Sequence, residues 1–104
     1  DAVLLLQSME NEELSFVVMN PFMLCEDYDP ILSEEDYAKI GTKNQEELSF
    51  YVICVVKDDL DASTVNLKCP IVVNVVTRQA RQVILDTKEY KLRHYLKEFK
   101  KEEA

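Results

Sequence analysis

Residues 48–57 read Leu48-Ser49-Phe50-Tyr51-Val52-Ile53-Cys54-Val55-Val56-Lys57. β-Branched and aromatic side chains dominate this run, and such residues suit a pleated, buried surface better than a helix. An acidic turn, Asn44 to Glu47, leads into it, and the acidic, hairpin-like loop Asp58-Asp59-Leu60-Asp61 leads out. The stretch is therefore predicted to be a buried strand, and the same grammar recurs on both sides of it. Upstream, Val3 to Leu6 and Leu14 to Met19 are apolar runs separated by the polar turn Ser8 to Glu13. Asn20-Pro21 ends the second run, because proline has no amide hydrogen for a ladder and asparagine suits a turn. Downstream, Thr64 to Lys68, Ile71 to Thr77 and Gln82 to Leu85 read as further strands, with Pro70 between the first two. The string Glu-Glu-Leu-Ser-Phe occurs at 12–16 and again at 46–50, which reads as repeated strand grammar.

One short helix is expected between these strands. Ser33 can cap it, Glu34, Glu35 and Asp36 sit at the positive end of its dipole, and Gly41 is placed to stop it. Tyr37 and Ile40 would face inward. Six strand-like runs joined by short turns predict a mainly β protein, a small antiparallel β-barrel-like fold in a single domain, residues 1–104. The expected core is Phe16, Val18, Phe50, Val52, Cys54, Val56, Ile71, Val73, Val75 and Ile84. In the tail, Leu92, Tyr95, Leu96 and Phe99 are spaced as one face of a helix, which admits a C-terminal helix.

Charge narrows the function classes. The chain of 104 residues carries 20 acids, 12 bases and a single glycine. Gly-rich phosphate loops are thereby excluded, and a net charge of −8 argues against direct nucleic-acid binding or attraction to an anionic membrane. No apolar run approaches the roughly 18 residues of a membrane span. Residues 1–62 hold 15 acids against 3 bases, while residues 63–104 hold 5 acids against 9 bases. A basic partner is the natural expectation for such an acidic half.

Catalytic constellations are hard to assemble. The one histidine, His94, lies in the charged tail far along the chain from every thiol, and zinc finds no ligand set. Cys25, Cys54 and Cys69 form no CxxC, so reduced, buried thiols in a cytoplasmic protein are expected. No cofactor is implied. A carboxylate-dependent enzyme or a weak calcium-binding domain stays open as an alternative, with Asp58, Asp59 and Asp61 as the acids concerned. Asn20, Asn66 and Asn74 stand at strand ends or within strands, where asparagine is depleted. Each is expected either to anchor a loop backbone or to form a polar ledge facing a partner.

Several ordered segments carry a family likeness. Leu4 to Ser8, Glu13 to Phe22 and Asp27-Tyr28 are followed by Thr64 to Asn74, Thr77 to Leu85 and Tyr90 to His94. In this order and with comparable gaps they resemble the flagellar assembly factor FliW family. Relative to that family's pattern the chain lacks an N-terminal segment with strands of its own, opening in mid-strand without a methionine. Cys69 stands where a small residue is usual, and Tyr95 where proline is common. An exposed sheet edge would then invite self-association with another copy. The resemblance implies a non-catalytic, cytoplasmic bacterial protein with two competing protein partners. These are flagellin and CsrA, a small dimeric RNA-binding translational repressor. Candidate contacts near the matched turns are Asn20, Phe22, Tyr28, Asn66 and Asn74, with Asp58, Asp59 and Asp61 as steering charges.

Overall fold

The computed structural model describes residues 3–7 and 15–99. The polar turn at Ser8 to Glu13, the strand start at Leu14, and with them the first three residues of the upstream Glu-Glu-Leu-Ser-Phe string, and the end of the tail lie outside them. Strands β1 (Val3–Gln7), β2 (Ser15–Met19) and β3 (Leu48–Val56) form a meander that is antiparallel throughout. Between β2 and β3 come two helices, α1 (Pro21–Leu24) and α2 (Glu34–Ile40). After β3 come β4 (Thr64–Val65), β5 (Ile71–Asn74), β6 (Gln79–Gln82) and β7 (His94–Tyr95). The fold is mainly β, as expected. β3 is its hub, pairing with β2, β4 and β5, while β7 adds to β4 and β6 to β5. Among the described residues no pairing joins β1 to β6 or β7, so the sheet is open rather than closed into a barrel.

β4 and β5 both run antiparallel along β3, but the register slips by three residues between them. Asn66 makes the slip. Its backbone N–H still donates to the Ile53 carbonyl, while its side-chain Oδ1 accepts from the N–H groups of Lys68 and Cys69 at 3.1 and 3.0 Å. Pro70 follows, so the strand expected over Thr64 to Lys68 stops at Val65. The strand expected over Ile71 to Thr77 stops at Asn74, where a turn begins that closes with Arg78 in the left-handed region, φ 63°. The last expected strand, Gln82 to Leu85, is displaced toward the N-terminus as β6. Val83 and Leu85 nevertheless continue the ladder by donating to the carbonyls of Pro70 and Lys68, both at 2.9 Å.

α2 forms as its sequence signals direct. Ser33 and Asp36 exchange a reciprocal capping box, and Gly41 ends the helix at φ 83°, a conformation that costs glycine little. Ile40 is buried and Tyr37 packs against the core. The tail departs from expectation. β7 pairs with β4, and a 3-10 turn, Leu96–Phe99, replaces the helix. The Leu96 N–H donates to the Ser63 carbonyl at 3.0 Å, and Leu96 and Phe99 pack on the core. Leu92 and Tyr95 stay 58% and 50% exposed, so the four residues do not share a face. Pairing along the free edge of β4 satisfies backbone groups that a helix there would leave open.

The core lies on one face of the sheet. Leu48, Phe50, Val52 and Cys54 are buried on β3, with Val65, Leu67, Val72, Val83 and Leu85 beside them and Tyr28, Leu32 and Ile40 above. Residues directly opposite in an antiparallel pair share a face. Val17 opposite Cys54 and Met19 opposite Val52 are therefore the core residues of β2. Phe16 and Val18, expected in the core, pair with Val55 and Ile53 and project from the other face. The same correction holds downstream: Val72 is buried and Ile71 and Val73 are partly exposed, while Val75 lies in the turn at 52% exposure and Ile84 is 72% exposed.

Candidate functional site

Asn20 begins the first cluster. Its Oδ1 accepts from the Phe22 N–H at 2.9 Å, and Pro21 at the first helical position needs no donor partner, so α1 starts there. The helix carries Phe22 outward over the core, with its ring edge-on to Tyr28 at 5.7 Å and to Phe50 at 6.2 Å. Tyr28 is buried and donates its hydroxyl to the Leu67 carbonyl at 2.7 Å. Its ring lies 4.7 Å from that of Tyr90, whose hydroxyl accepts from the Asp29 N–H at 2.8 Å. Burial pushes the pKa of both phenols up, so neither supplies a base near neutral pH. The cluster is a scaffold with an apolar tip, since Phe22 and Met23 are 38% and 67% exposed. Asn66 bends the chain next to Leu67, whose carbonyl accepts from the Tyr28 hydroxyl. Sequence reasoning missed Tyr90 as a member. A lone aromatic in a charged segment is the signal that marks it.

The acidic loop stands apart. Asp59 Oδ1 accepts from the Asp61 N–H at 3.0 Å and starts the 3-10 turn Leu60–Ala62. Ser63 ties the loop to β3, its hydroxyl accepting from the Lys57 N–H at 2.9 Å. Asp58, Asp59 and Asp61 are exposed beside Leu60, and among the described residues no three His, Cys, Asp or Glu side chains converge as a metal site would require. Asn74 lies at the other end of β3, opposite Leu48, roughly 26 Å away by the strand rise of ~3.3 Å per residue. It is buried at 1% exposure and holds a turn and the end of α2 together. The eight residues singled out in the sequence thus occupy three places. Asn20, Phe22 and Tyr28 come together, Asn66 is linked to them only through the carbonyl of the neighbouring Leu67, and the aspartates and Asn74 lie elsewhere. All three asparagines anchor loop backbone.

His94 is engaged locally. Its Nε2 accepts from the Lys91 N–H at 2.8 Å and its Nδ1 lies 3.6 Å from the Glu98 carboxylate. All three cysteines are free, Cys54 and Cys69 buried and Cys25 partly so. Burial pushes the Cys54 thiol up to about 11. Its unfolded counterpart titrates near ~8.5, so the folded state keeps its proton longer. Stability contributed by that proton is complete below pH ~8.5 and is lost as pH rises toward 11. With a thiol-specific reagent at pH 8, Cys25 is expected to react first and Cys54 only at the rate of unfolding. Rapid native labelling of Cys54 contradicts its placement.

Among the described residues no helix is long and apolar enough to cross a membrane. A family model described as "FliW protein" matches residues 1–96. The flagellar assembly factor FliW of Ruminiclostridium cellulolyticum is 45% identical over 91 residues, which are 88% of this chain and 62% of that protein. Its counterpart in Caldicellulosiruptor saccharolyticus is 38% identical over 91 residues, 88% of this chain and 60% of that one. The chain therefore spans about three fifths of the length of these curated relatives. A crystal structure of the flagellar assembly factor FliW is similar at a TM-score of 0.75 and 35% identity, covering 91% of this chain and 67% of the other.

Proposed function

The chain belongs to the FliW family, and from that premise we propose that it is a non-catalytic flagellar assembly factor. It binds flagellin and antagonises the RNA-binding translational repressor CsrA through an acidic surface. Flagellin level is thereby coupled to flagellin translation, and the protein acts in the cytoplasm without touching nucleic acid or membrane itself. The observation that carries this reading is the family match over residues 1–96. The charge distribution agrees with it, because a protein that binds RNA needs a basic surface and an acidic antagonist both steers toward it and repels its RNA. Asn20, Phe22 and Asn66 are the proposed contacts, Tyr28 braces the Phe22 cluster from within, Asn74 shapes the separate turn into β6, and Asp58, Asp59 and Asp61 steer. β1, which among the described residues pairs only with β2, is the edge through which a second copy would add.

The test is a titration of the purified chain with CsrA and, separately, with flagellin. Binding of either is the expected result, and retention of neither overturns the proposal. Changing Asp58, Asp59 and Asp61 together to Asn is expected to lower the association rate with CsrA several-fold at low salt and hardly at all at high salt. An association rate that ignores the triple change removes this loop from the account.

A further inference from the structure

Two short stretches of the chain repeat one pattern of burial. In Pro30-Ile31-Leu32 the outer residues are buried and Ile31 is 74% exposed. In Val83-Ile84-Leu85 the outer residues are buried and Ile84 is 72% exposed. Alternate side chains of an extended backbone point opposite ways, so anchoring the neighbours throws each isoleucine outward. The two stretches meet. Ile31 and Ile84 line one cleft of about 500 Å³, together with Leu32 and Leu85. Two large exposed aliphatic side chains lining one cleft, each flanked by buried neighbours, are the make-up of a contact patch rather than of scattered surface.

Charge says what fits there. Five carboxylates line the cleft and no lysine or arginine does. Glu35 is already paired with Lys39 at 2.9 Å, and Asp36 accepts the Ser33 N–H within the capping box. Asp29, Asp86 and Glu89 have no ion pair among the described residues. We infer that this cleft seats a cationic amphipathic segment of a partner protein, its apolar side chains on Ile31 and Ile84 and its lysines or arginines over Asp29, Asp86 and Glu89. The inference rests on the reading of the protein as an acidic binding module and adds to the contacts proposed above a surface made of other residues.

The probe is a fluorescent synthetic peptide of leucine and lysine in helical amphipathic order, compared with one of leucine and glutamate. Both are titrated onto the intact chain by anisotropy. The leucine–lysine peptide is expected to bind and the leucine–glutamate peptide not. Ile31→Ser with Ile84→Ser should weaken binding at least tenfold, because it removes the apolar anchors. Asp86→Asn with Glu89→Gln should weaken it several-fold at low salt, with the loss shrinking at high salt. All four residues lie at the surface, and the thermal midpoint of both variants reports whether the fold is intact. Equal binding of the two peptides, or full affinity in a folded isoleucine variant, overturns the inference. A dimer abolished by the isoleucine changes, with no peptide bound, also overturns it and assigns the cleft to a second copy. CsrA binding that is indifferent to the isoleucine changes defeats the cleft while leaving the function standing. A peptide that docks while neither CsrA nor flagellin binds defeats the function while leaving the cleft standing.

Discussion

Phe50→Ala is expected to remove about 3–5 kcal/mol of unfolding free energy, whereas Phe16→Ala removes about 1–2 kcal/mol. The two phenylalanines have the same local sequence, each following Leu-Ser after a pair of glutamates. Their environments differ. Phe50 is 6% exposed on the hub strand, opposite Val72, with the Phe22 ring against its edge. Truncation there leaves a cavity that neighbours on β5 and α1 would have to collapse to fill. Phe16 projects from the other face, opposite Val55, and is only partly buried. A domain of this size has about 5–15 kcal/mol in hand, so the first change takes a large share of it and the second does not. Denaturant titration of both variants reads this directly. Equal losses would mean that the strand faces are assigned the wrong way round.

That contrast also marks what could be read from residues alone. β3 was legible because a polar Ser49 breaks its apolar run and acidic turns bound it, which fixes both phase and length. α2 was legible because capping is local: Ser33, Asp36 and Gly41 act within their own turns. The phases of β2 and β5 were not. Phe16-Val17-Val18-Met19 and Ile71-Val72-Val73 are apolar at every position, and an unbroken run carries no period-two signal. Only the register against β3 decides which residues face the core. Runs apolar on both faces are the composition of strands that meet something on each side. The tail failed for a related reason. Its helical spacing is real, but the open edge of β4 offers tertiary hydrogen bonds that local propensity does not report. The candidate site was legible as residue types and not as a place. That asparagines beside prolines would anchor loops follows from their chemistry. That Asn74 and the aspartates sit at opposite ends of β3 follows only from strand pairing.

Asn74 is where the two kinds of information meet, and its replacement is expected to be costly. It is the most deeply buried asparagine described, at 1% exposure. Its Nδ2 donates to the Ile40 carbonyl at 2.9 Å, satisfying a group that the end of α2 leaves open. Its Oδ1 accepts from the N–H groups of Val76 and Thr77 at 3.0 and 3.2 Å, shaping the turn into β6. Asn74→Ala orphans one carbonyl and two amides, and with some relief by water is expected to cost about 2–4 kcal/mol. Asn74→Asp separates the two halves of the role. A carboxylate keeps both accepted bonds but turns a buried charge toward the Ile40 carbonyl, which raises its folded pKa above the unfolded value. A carboxyl group so raised favours the folded state below its unfolded pKa and loses that advantage as pH rises through the folded one. Protonated, the group regains a donor for Ile40. The stability gap between Asn74→Asp and the unchanged chain is therefore expected to be wide at pH 7 and to narrow toward pH 4.5. Paired denaturant titrations at the two pH values measure it, and a gap that stays constant would show that the donated bond to the helix end contributes nothing.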